Sequence, residues 1–153
     1  MTASQKFALP FIAGSLGLAG LLPQGLVVAA VLFGGPEMRF TALSLGYAYA
    51  ALIVSFLGGV WWGLAAMGGS RTPRWTWIAA VVPSLLALAT AWPWATGGNW
   101  PSPSLLVLGL LLGLSPLVDL RLKAAGLTPA GWMVLRVPLS LGLGFLTILV
   151  GLV

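Results

Sequence analysis

Five long apolar stretches alternate along the chain with short polar breaks. The apolar stretches run approximately over residues 10–33, 40–67, 75–94, 103–122 and 129–153. Each can supply the roughly 20 residues that a helix needs to cross the hydrocarbon core of a bilayer. The breaks contain helix-ending glycines and helix-starting prolines, and Pro129 is the expected first residue of the last helix, with Thr128 as its cap. The pattern predicts an all-α polytopic membrane protein in which residues 1–153 form a single bundle of five transmembrane helices.

Composition supports a bilayer as the surroundings of this bundle. Of 153 residues, 59% are hydrophobic and 6% are charged, whereas roughly a quarter are charged in ordinary soluble domains. So few ionisable side chains cannot cover a water-exposed surface, so the outside of the bundle must face lipid. The first apolar run lacks a convincing small-residue cleavage site and is interpreted as a retained helix.

The basic residues predict the orientation of the bundle. The chain contains seven Lys and Arg residues and two acidic residues. Because the basic residues fall between apolar runs, they indicate topology and not nucleic-acid binding. The N-terminus and the second and fourth loops share one side, with Lys6, Arg71, Arg74, Arg121, Lys123 and the deeper Arg136, while the other side has Arg39 alone. This bias predicts a cytoplasmic N-terminus and an external C-terminus. The tryptophans predict two interfacial belts: Trp61, Trp62, Trp75, Trp77 and Trp132 inside, and Trp92, Trp94 and Trp100 outside.

Several kinds of chemistry are not expected from these side chains. The chain has no Cys and no His, which excludes histidine-ligated haem, cysteine-bound metal and thiol nucleophiles. Glu37 and Asp119 are expected on opposite sides of the membrane, so they cannot form a catalytic carboxylate pair. No enzymatic activity is predicted, and the identity of any cofactor stays open.

Asp119 and Arg136 form the predicted intramembrane charge pair. They lie near the ends of the fourth and fifth spans that a short loop joins, so antiparallel packing puts both at a similar depth of roughly 9 Å. An intramembrane carboxylate is usually paired or functional, and an arginine can bind it with two N–H groups. The pair is expected to hold the two helices of the hairpin together, to form the polar base of a headgroup or cofactor pocket, or to carry protons.

Glycines and aromatic residues suggest a second candidate site, a groove beside the second helix. Ser55, Gly59 and Gly63 repeat every four residues, as do Gly109 and Gly113 on the fourth helix, and such strips permit close helix packing. Prolines at 23, 83, 116 and 138 inside the spans can kink helices and open a cavity. The predicted ligand or partner groove comprises Tyr49, Ser55, Phe56, Gly59, Trp62, Gly63, Pro83 and Ser84; the alternative is aromatic filling between packed helices.

Residues 49–65, Tyr-Ala-Ala-Leu-Ile-Val-Ser-Phe-Leu-Gly-Gly-Val-Trp-Trp-Gly-Leu-Ala, resemble the second helix of an uncharacterised membrane family, the domain of unknown function numbered 3429, which includes transmembrane protein 69. Segments 82–87, 119–121 and 135–140 resemble parts of its third, fourth and fifth helices. Where family members often have a polar or histidine residue before the tryptophan, this chain has Trp61. The resemblance implies a multi-spanning inner-membrane protein, bacterial or mitochondrial, and no known reaction.

Three functions remain as hypotheses. The leading one is a non-catalytic module, either an accessory subunit of a membrane complex or a binder of a lipid-like or aromatic ligand. The second is a small proton-coupled transporter or channel that uses Asp119, although five spans do not divide into two equal halves. The third follows an architectural similarity to the tryptophan-rich sensory or translocator proteins, which bind porphyrins and sterols. The expected partners are the bilayer, other membrane proteins or a lipid-like molecule, and no nucleic acid.

Overall fold

Helices make up most of the computed structural model, which describes residues 11–153. They are α1 (Phe11–Ala19), α2 (Leu22–Phe33), α3 (Pro36–Gly68), α4 (Arg74–Ala89), α5 (Trp92–Ala95), α6 (Ser102–Ala124) and α7 (Trp132–Leu152), and a 3₁₀ turn at Gly69–Arg71 follows α3. Within this range no residue belongs to a β-strand.

Five helical spans are long and apolar enough to cross a membrane, which confirms the predicted fold class. These spans are Phe11–Phe33, Pro36–Arg71, Arg74–Ala95, Ser102–Ala124 and Trp132–Leu152. Pro10, the expected start of the first span, and Lys6, which enters the charge bias, lie outside the described residues. Because the spans alternate in direction, Arg71, Arg74 and Lys123 lie at one end of the bundle, here called the basic end, and Glu37 and Arg39 lie at the opposite end.

The first span is broken between α1 and α2. Pro23 is the second residue of α2, and because proline has no N–H it cannot donate to the carbonyl four residues earlier. The helix is interrupted at Gly20 and Leu21, and the Gly20 carbonyl accepts a hydrogen bond of 2.5 Å from the Tyr49 hydroxyl of α3. A neighbouring helix therefore satisfies part of the broken backbone, as lipid surroundings require.

The third span is broken in the same way between α4 and α5. Pro93 is the second residue of α5, and the break falls at Thr90 and Ala91. The Thr90 carbonyl accepts a hydrogen bond of 2.7 Å from the Ser104 hydroxyl of α6. The Thr90 hydroxyl lies 3.2 Å from the Tyr47 hydroxyl of α3. These contacts join three helices toward the opposite end of the bundle.

The last helix begins later than the sequence predicts. Pro129 was the expected first residue, with Thr128 as cap, but α7 begins at Trp132 and its N-cap is Gly131. Gly131 has φ of +79°, a left-handed conformation that glycine adopts without steric strain. The turn at this glycine, and not the proline, determines where the helix starts.

Helix α3 is the central element of the bundle. It packs against α2, α4, α6 and α7, while α6 and α7 pack along each other as an antiparallel pair and α1 rests on α7. The largest fully buried apolar side chains come from α6, at Leu105, Leu108, Leu112 and Leu122. Large apolar side chains such as Phe56, Leu88 and Phe145 cover the outside and are more than half exposed, as expected where lipid replaces water.

Glycines produce the closest helix contacts, but not all of the glycines that the sequence suggested. On α6 and α7, a Cβ added to Gly144 would lie 2.8 Å from the Gly109 carbonyl oxygen and 2.9 Å from the Gly113 nitrogen. The predicted strip on the fourth helix is therefore confirmed as a packing surface. On α3 the expected strip does not pack against another helix of the bundle, because a Cβ at Gly59 or Gly63 would meet nothing within 4 Å.

Gly58 makes the close contact on α3 instead. It is buried, and an added Cβ would collide with the Ala80 carbonyl of α4 and would lie 3.6 Å from Pro83 Cβ. The buried face of α3 runs through Ala50, Val54 and Trp61, which is one residue out of register with the predicted strip. A helix that is apolar on all sides does not indicate which face is buried.

We expect Gly144→Ala to destabilise the bundle, because the new Cβ would collide with backbone atoms of α6. No flexible side chain lies there that could move aside, so the two helix backbones would have to separate. Overpacking of this kind typically costs about 1–3 kcal/mol. Thermal unfolding in mild detergent should show a lower Tm. Gly142→Ala is the matched control on the same helix, since its Cβ would meet only Leu21 methyl groups at 3.5 Å. Equal melting temperatures for the two variants would contradict the assigned contact.

Candidate functional site

The centre of the candidate site is the Asp119 carboxylate on α6. Its side chain is 0% exposed, and the Arg136 Nε of α7 donates to its Oδ2 at 3.0 Å. By helical rise, Asp119 lies about 7 Å and Arg136 about 6 Å from the nearby helix ends. The two charges therefore meet below the basic end, within the span and away from its surface.

Two tryptophans also donate hydrogen bonds to this carboxylate. Trp61 Nε1 from α3 donates to Asp119 Oδ1 at 3.0 Å, and Trp132 Nε1 from α7 donates to the same oxygen at 3.1 Å. The Arg136 guanidinium carbon also lies 5.9 Å from the centre of the Trp132 ring. One carboxylate thereby joins α3, α6 and α7.

A pair of hydroxyls extends the site along α6 and α7. Pro116 leaves the Leu112 carbonyl without its helical donor, and the Ser115 hydroxyl donates to that carbonyl at 2.7 Å. Arg136 Nη2 donates to Ser115 Oγ at 3.3 Å, and the Ser115 and Ser140 hydroxyls lie 3.1 Å apart. We refer to Trp61, Ser115, Asp119, Trp132, Arg136 and Ser140 together as the Asp119 cluster.

The Asp119 cluster is balanced in charge, but it has more hydrogen-bond donors than acceptors for them. One carboxylate faces one guanidinium, and this is the single salt bridge among residues 11–153. A guanidinium has five N–H groups, and Arg136 uses Nε and Nη2 toward Asp119 and Ser115, whereas its Nη1 has no hydrogen-bond acceptor among those residues. The Arg136 side chain is 11% exposed. The cluster therefore offers spare donors and no spare carboxylate.

Arg136 borders a largely apolar cavity of about 330 Å³, which we call cavity 1. This cavity lies beside the break between α1 and α2, and its other walls come from α3, α6 and α7. Besides Arg136 it is lined by Leu16, Gly17, Gly20, Leu21, Tyr49, Ile53, Phe56, Leu57, Leu112, Leu139, Ser140 and Leu143. Leu16 and Phe56 are largely exposed on the lipid-facing side, so cavity 1 is accessible from the bilayer.

A second apolar cavity, cavity 2, lies on the other side of the Asp119 cluster. It measures about 300 Å³ between α3, α4 and α6, and Trp61 and Ser115 are among its lining residues. Leu57 contributes to the walls of both cavities. The indole N–H of Trp61 is already bound to Asp119, so cavity 2 offers less free hydrogen-bonding capacity than cavity 1.

A wider groove of about 550 Å³ lies between α2 and α3, near the opposite end. Glu37 is its charged lining residue, and this side chain is exposed. The groove is remote from the Asp119 cluster, and its remaining walls are largely apolar.

The structure distributes the predicted groove residues over different surfaces. Tyr49 and Phe56 line cavity 1, while Pro83 lines cavity 2. The residues that line neither cavity are Ser55, Gly59, Trp62, Gly63 and Ser84. Trp62 instead packs edge to face on Trp77 at 4.9 Å between ring centres. Cavities 1 and 2 thus divide the predicted groove residues between them, and Leu57 lines both.

Sequence reasoning missed the role of the two tryptophans that bind Asp119. Trp61 and Trp132 were interpreted as interfacial residues, like their neighbours. The spacing contained a usable signal on α7, since Trp132 and Arg136 are four residues apart and must share a helix face. No comparable signal linked Trp61 to Asp119, because the rotation of α3 about its axis had to be known first.

A second polar contact at mid-depth was also missed. Gln24 on α2 is 0% exposed, and its Nε2 donates to the Thr147 hydroxyl of α7 at 3.2 Å, which in turn donates to the Leu143 carbonyl at 2.7 Å. An amide inside an apolar run indicates such a partner, since an unpaired amide is costly in lipid. This contact supports the bundle at a level where the Asp119 cluster does not reach.

No group of three or more His, Cys, Asp or Glu side chains that could hold a metal ion occurs in the part of the chain that the structure describes.

The comparisons with known proteins identify a family but no activity. No curated protein and no solved structure matches the chain. The family model described as "Protein of unknown function (DUF3429)" matches residues 9–153, which include all five spans. The chain therefore belongs to the DUF3429 family.

Proposed function

We propose that this protein is a non-catalytic membrane protein that holds a lipid-like ligand in cavity 1. The observation that carries the proposal is the position of Arg136, whose guanidinium has unused donors and whose side chain lines a largely apolar cavity. Small-molecule sites are typically apolar, with a few polar groups that fix orientation, and have volumes of about 300–1,000 Å³. Cavity 1 has this composition and is near the lower limit of this size.

The environment of Asp119 argues against a proton carrier. Its two oxygens together accept from Arg136, Trp61 and Trp132, and protonation would weaken all three bonds. The carboxylate also joins three helices, so a change in its charge would disturb the packing of the bundle. We therefore assign Asp119 to holding α3, α6 and α7 together and to orienting Arg136.

We further propose that the protein resides in the inner membrane with its basic end toward the cytoplasm. Arg71, Arg74 and Lys123 are exposed at this end, and positively charged loops are retained on the cytoplasmic side. In this orientation, cavity 1 is accessible to lipids of the cytoplasmic leaflet.

Filling cavity 1 should remove the ligand. Leu139→Trp would place a large ring on the cavity wall, and we expect mass spectrometry of protein extracted from native membranes to show at least a several-fold loss of the co-purifying small molecule. Leu111→Trp is the matched control, because Leu111 is an equally half-buried leucine that lines cavity 2. A stoichiometric protein partner with no enriched small molecule would contradict the proposal and favour an accessory subunit.

Removing the charge of Asp119 should destabilise the bundle. In Asp119→Asn, the amide N–H groups would face donors and Arg136 would lose its counter-charge, so we expect a loss of about 2–4 kcal/mol. Thermal unfolding in detergent would report this loss as a lower Tm, and Glu37→Gln, at an exposed carboxylate without an ion pair in residues 11–153, should leave Tm unchanged. The double variant Asp119→Asn/Arg136→Gln should recover part of the loss, and strictly additive effects would contradict the assigned pairing.

The orientation is directly testable because the chain contains no cysteine. We expect Ser70→Cys, at the basic end, to react with a membrane-impermeant maleimide only after the cells are opened. Asn99→Cys, in the loop at the opposite end, should react in intact cells. The reverse pattern of labelling would show that the basic end faces outward.

A further inference from the structure

We infer that the head of the ligand in cavity 1 is an uncharged carbonyl oxygen, as in a quinone or an ester, and not a carboxylate or phosphate. This inference rests on the proposed function and specifies the chemical class of the ligand. It follows from two properties of the Asp119 cluster. Its charges balance, and its unused hydrogen-bonding groups are donors.

The charge balance disfavours an anionic head. Asp119 already compensates Arg136 at 3.0 Å, and Arg136 is the only charged residue among the described residues that line cavity 1. A second anion on the same guanidinium would leave one negative charge uncompensated in apolar surroundings, which is strongly unfavourable. The exposed cations of the basic end, such as Arg71 and Lys123, are not part of the cavity wall.

The hydrogen-bonding capacity disfavours a head that must donate. Both Asp119 oxygens already accept hydrogen bonds, and the Gly20 carbonyl accepts from the Tyr49 hydroxyl. Arg136 Nη1 keeps its hydrogens without an acceptor in residues 11–153. A neutral acceptor therefore pairs with Arg136 Nη1, whereas an alcohol or an amine would have only the Tyr49 and Ser140 hydroxyl oxygens of the cavity wall to donate to.

The polar group lies at one end of the cavity. Leu143, which also lines cavity 1, is seven residues further along α7 than Arg136, or about 10 Å deeper in the bundle. The wall between them is apolar except for Ser140, which is buried against Ser115. A ligand with its carbonyl at Arg136 would thus direct its hydrocarbon part toward the centre of the membrane.

The test compares three probes that share one hydrocarbon chain: methyl decanoate, decanoate and decane. Each probe competes, at a pH where decanoate is ionised, with a diazirine-bearing alkyl ester that is photo-crosslinked to the protein in nanodiscs, and peptide mass spectrometry measures labelling of cavity 1. We expect methyl decanoate to compete at about tenfold lower concentration than either other probe, because a hydrogen bond from a charged donor favours it.

The variant Asp119→Asn/Arg136→Gln provides the control for the role of the guanidinium. It removes both charges together, which avoids leaving either one buried alone, and should bind the ester and decane equally. Leu111→Trp, in cavity 2, should retain the preference for the ester. A wild-type preference for decanoate, or an ester preference that survives in the double variant, would overturn the inference and leave cavity 1 as a ligand site. Failure of every probe to displace the label would overturn the proposed function as well.

Discussion

The Asp119 carboxylate is the interaction on which the rest of this bundle depends. Apolar burial does not drive helices together in a bilayer, because lipid is as apolar as a protein core. A buried carboxylate, by contrast, is strongly unfavourable without donors and therefore requires them at fixed positions. Trp61, Trp132 and Arg136 provide these donors from two other helices, so the requirement of one side chain determines how α3, α6 and α7 are arranged at the basic end.

The same principle operates at other depths with weaker groups. At mid-depth the amide of Gln24 reaches Thr147, and toward the opposite end the hydroxyl of Ser104 reaches the Thr90 carbonyl. Between the Asp119 cluster and the Gln24–Thr147 contact, glycine permits direct backbone contact, as at Gly144. The Gln24 bridge joins the first and last spans, whereas the Ser104 bridge and the glycine contact each join spans that follow one another in the chain. Specific contacts thus replace the general hydrophobic collapse of a soluble protein.

The number of spans was predictable because bilayer thickness imposes a length on every apolar run, and the contact of Asp119 with Arg136 was predictable because a short loop makes their helices neighbours. The rotation of α3 about its axis, which determines which of its faces is buried, was not predictable. In a soluble protein the polar face of a helix identifies the buried face, but here both the lipid-facing and the buried sides are apolar. That is why the sequence suggested Gly59 and Gly63 where the structure uses Gly58, and why Trp61 was not connected with Asp119. The division of the expected groove into two cavities follows from the same rotation.

The ion pair of Arg136 and its proposed role in ligand binding are physically linked. Asp119 binds the guanidinium through Nε, and Arg136 also lines cavity 1. An arginine without this partner would extend its flexible side chain toward the aqueous interface, as basic residues near helix ends commonly do. The carboxylate therefore keeps a positively charged donor inside the membrane and simultaneously cancels its charge. Such a site can bind an acceptor strongly while remaining electrically neutral, a combination that neither an isolated arginine nor an uncharged amide would provide in lipid.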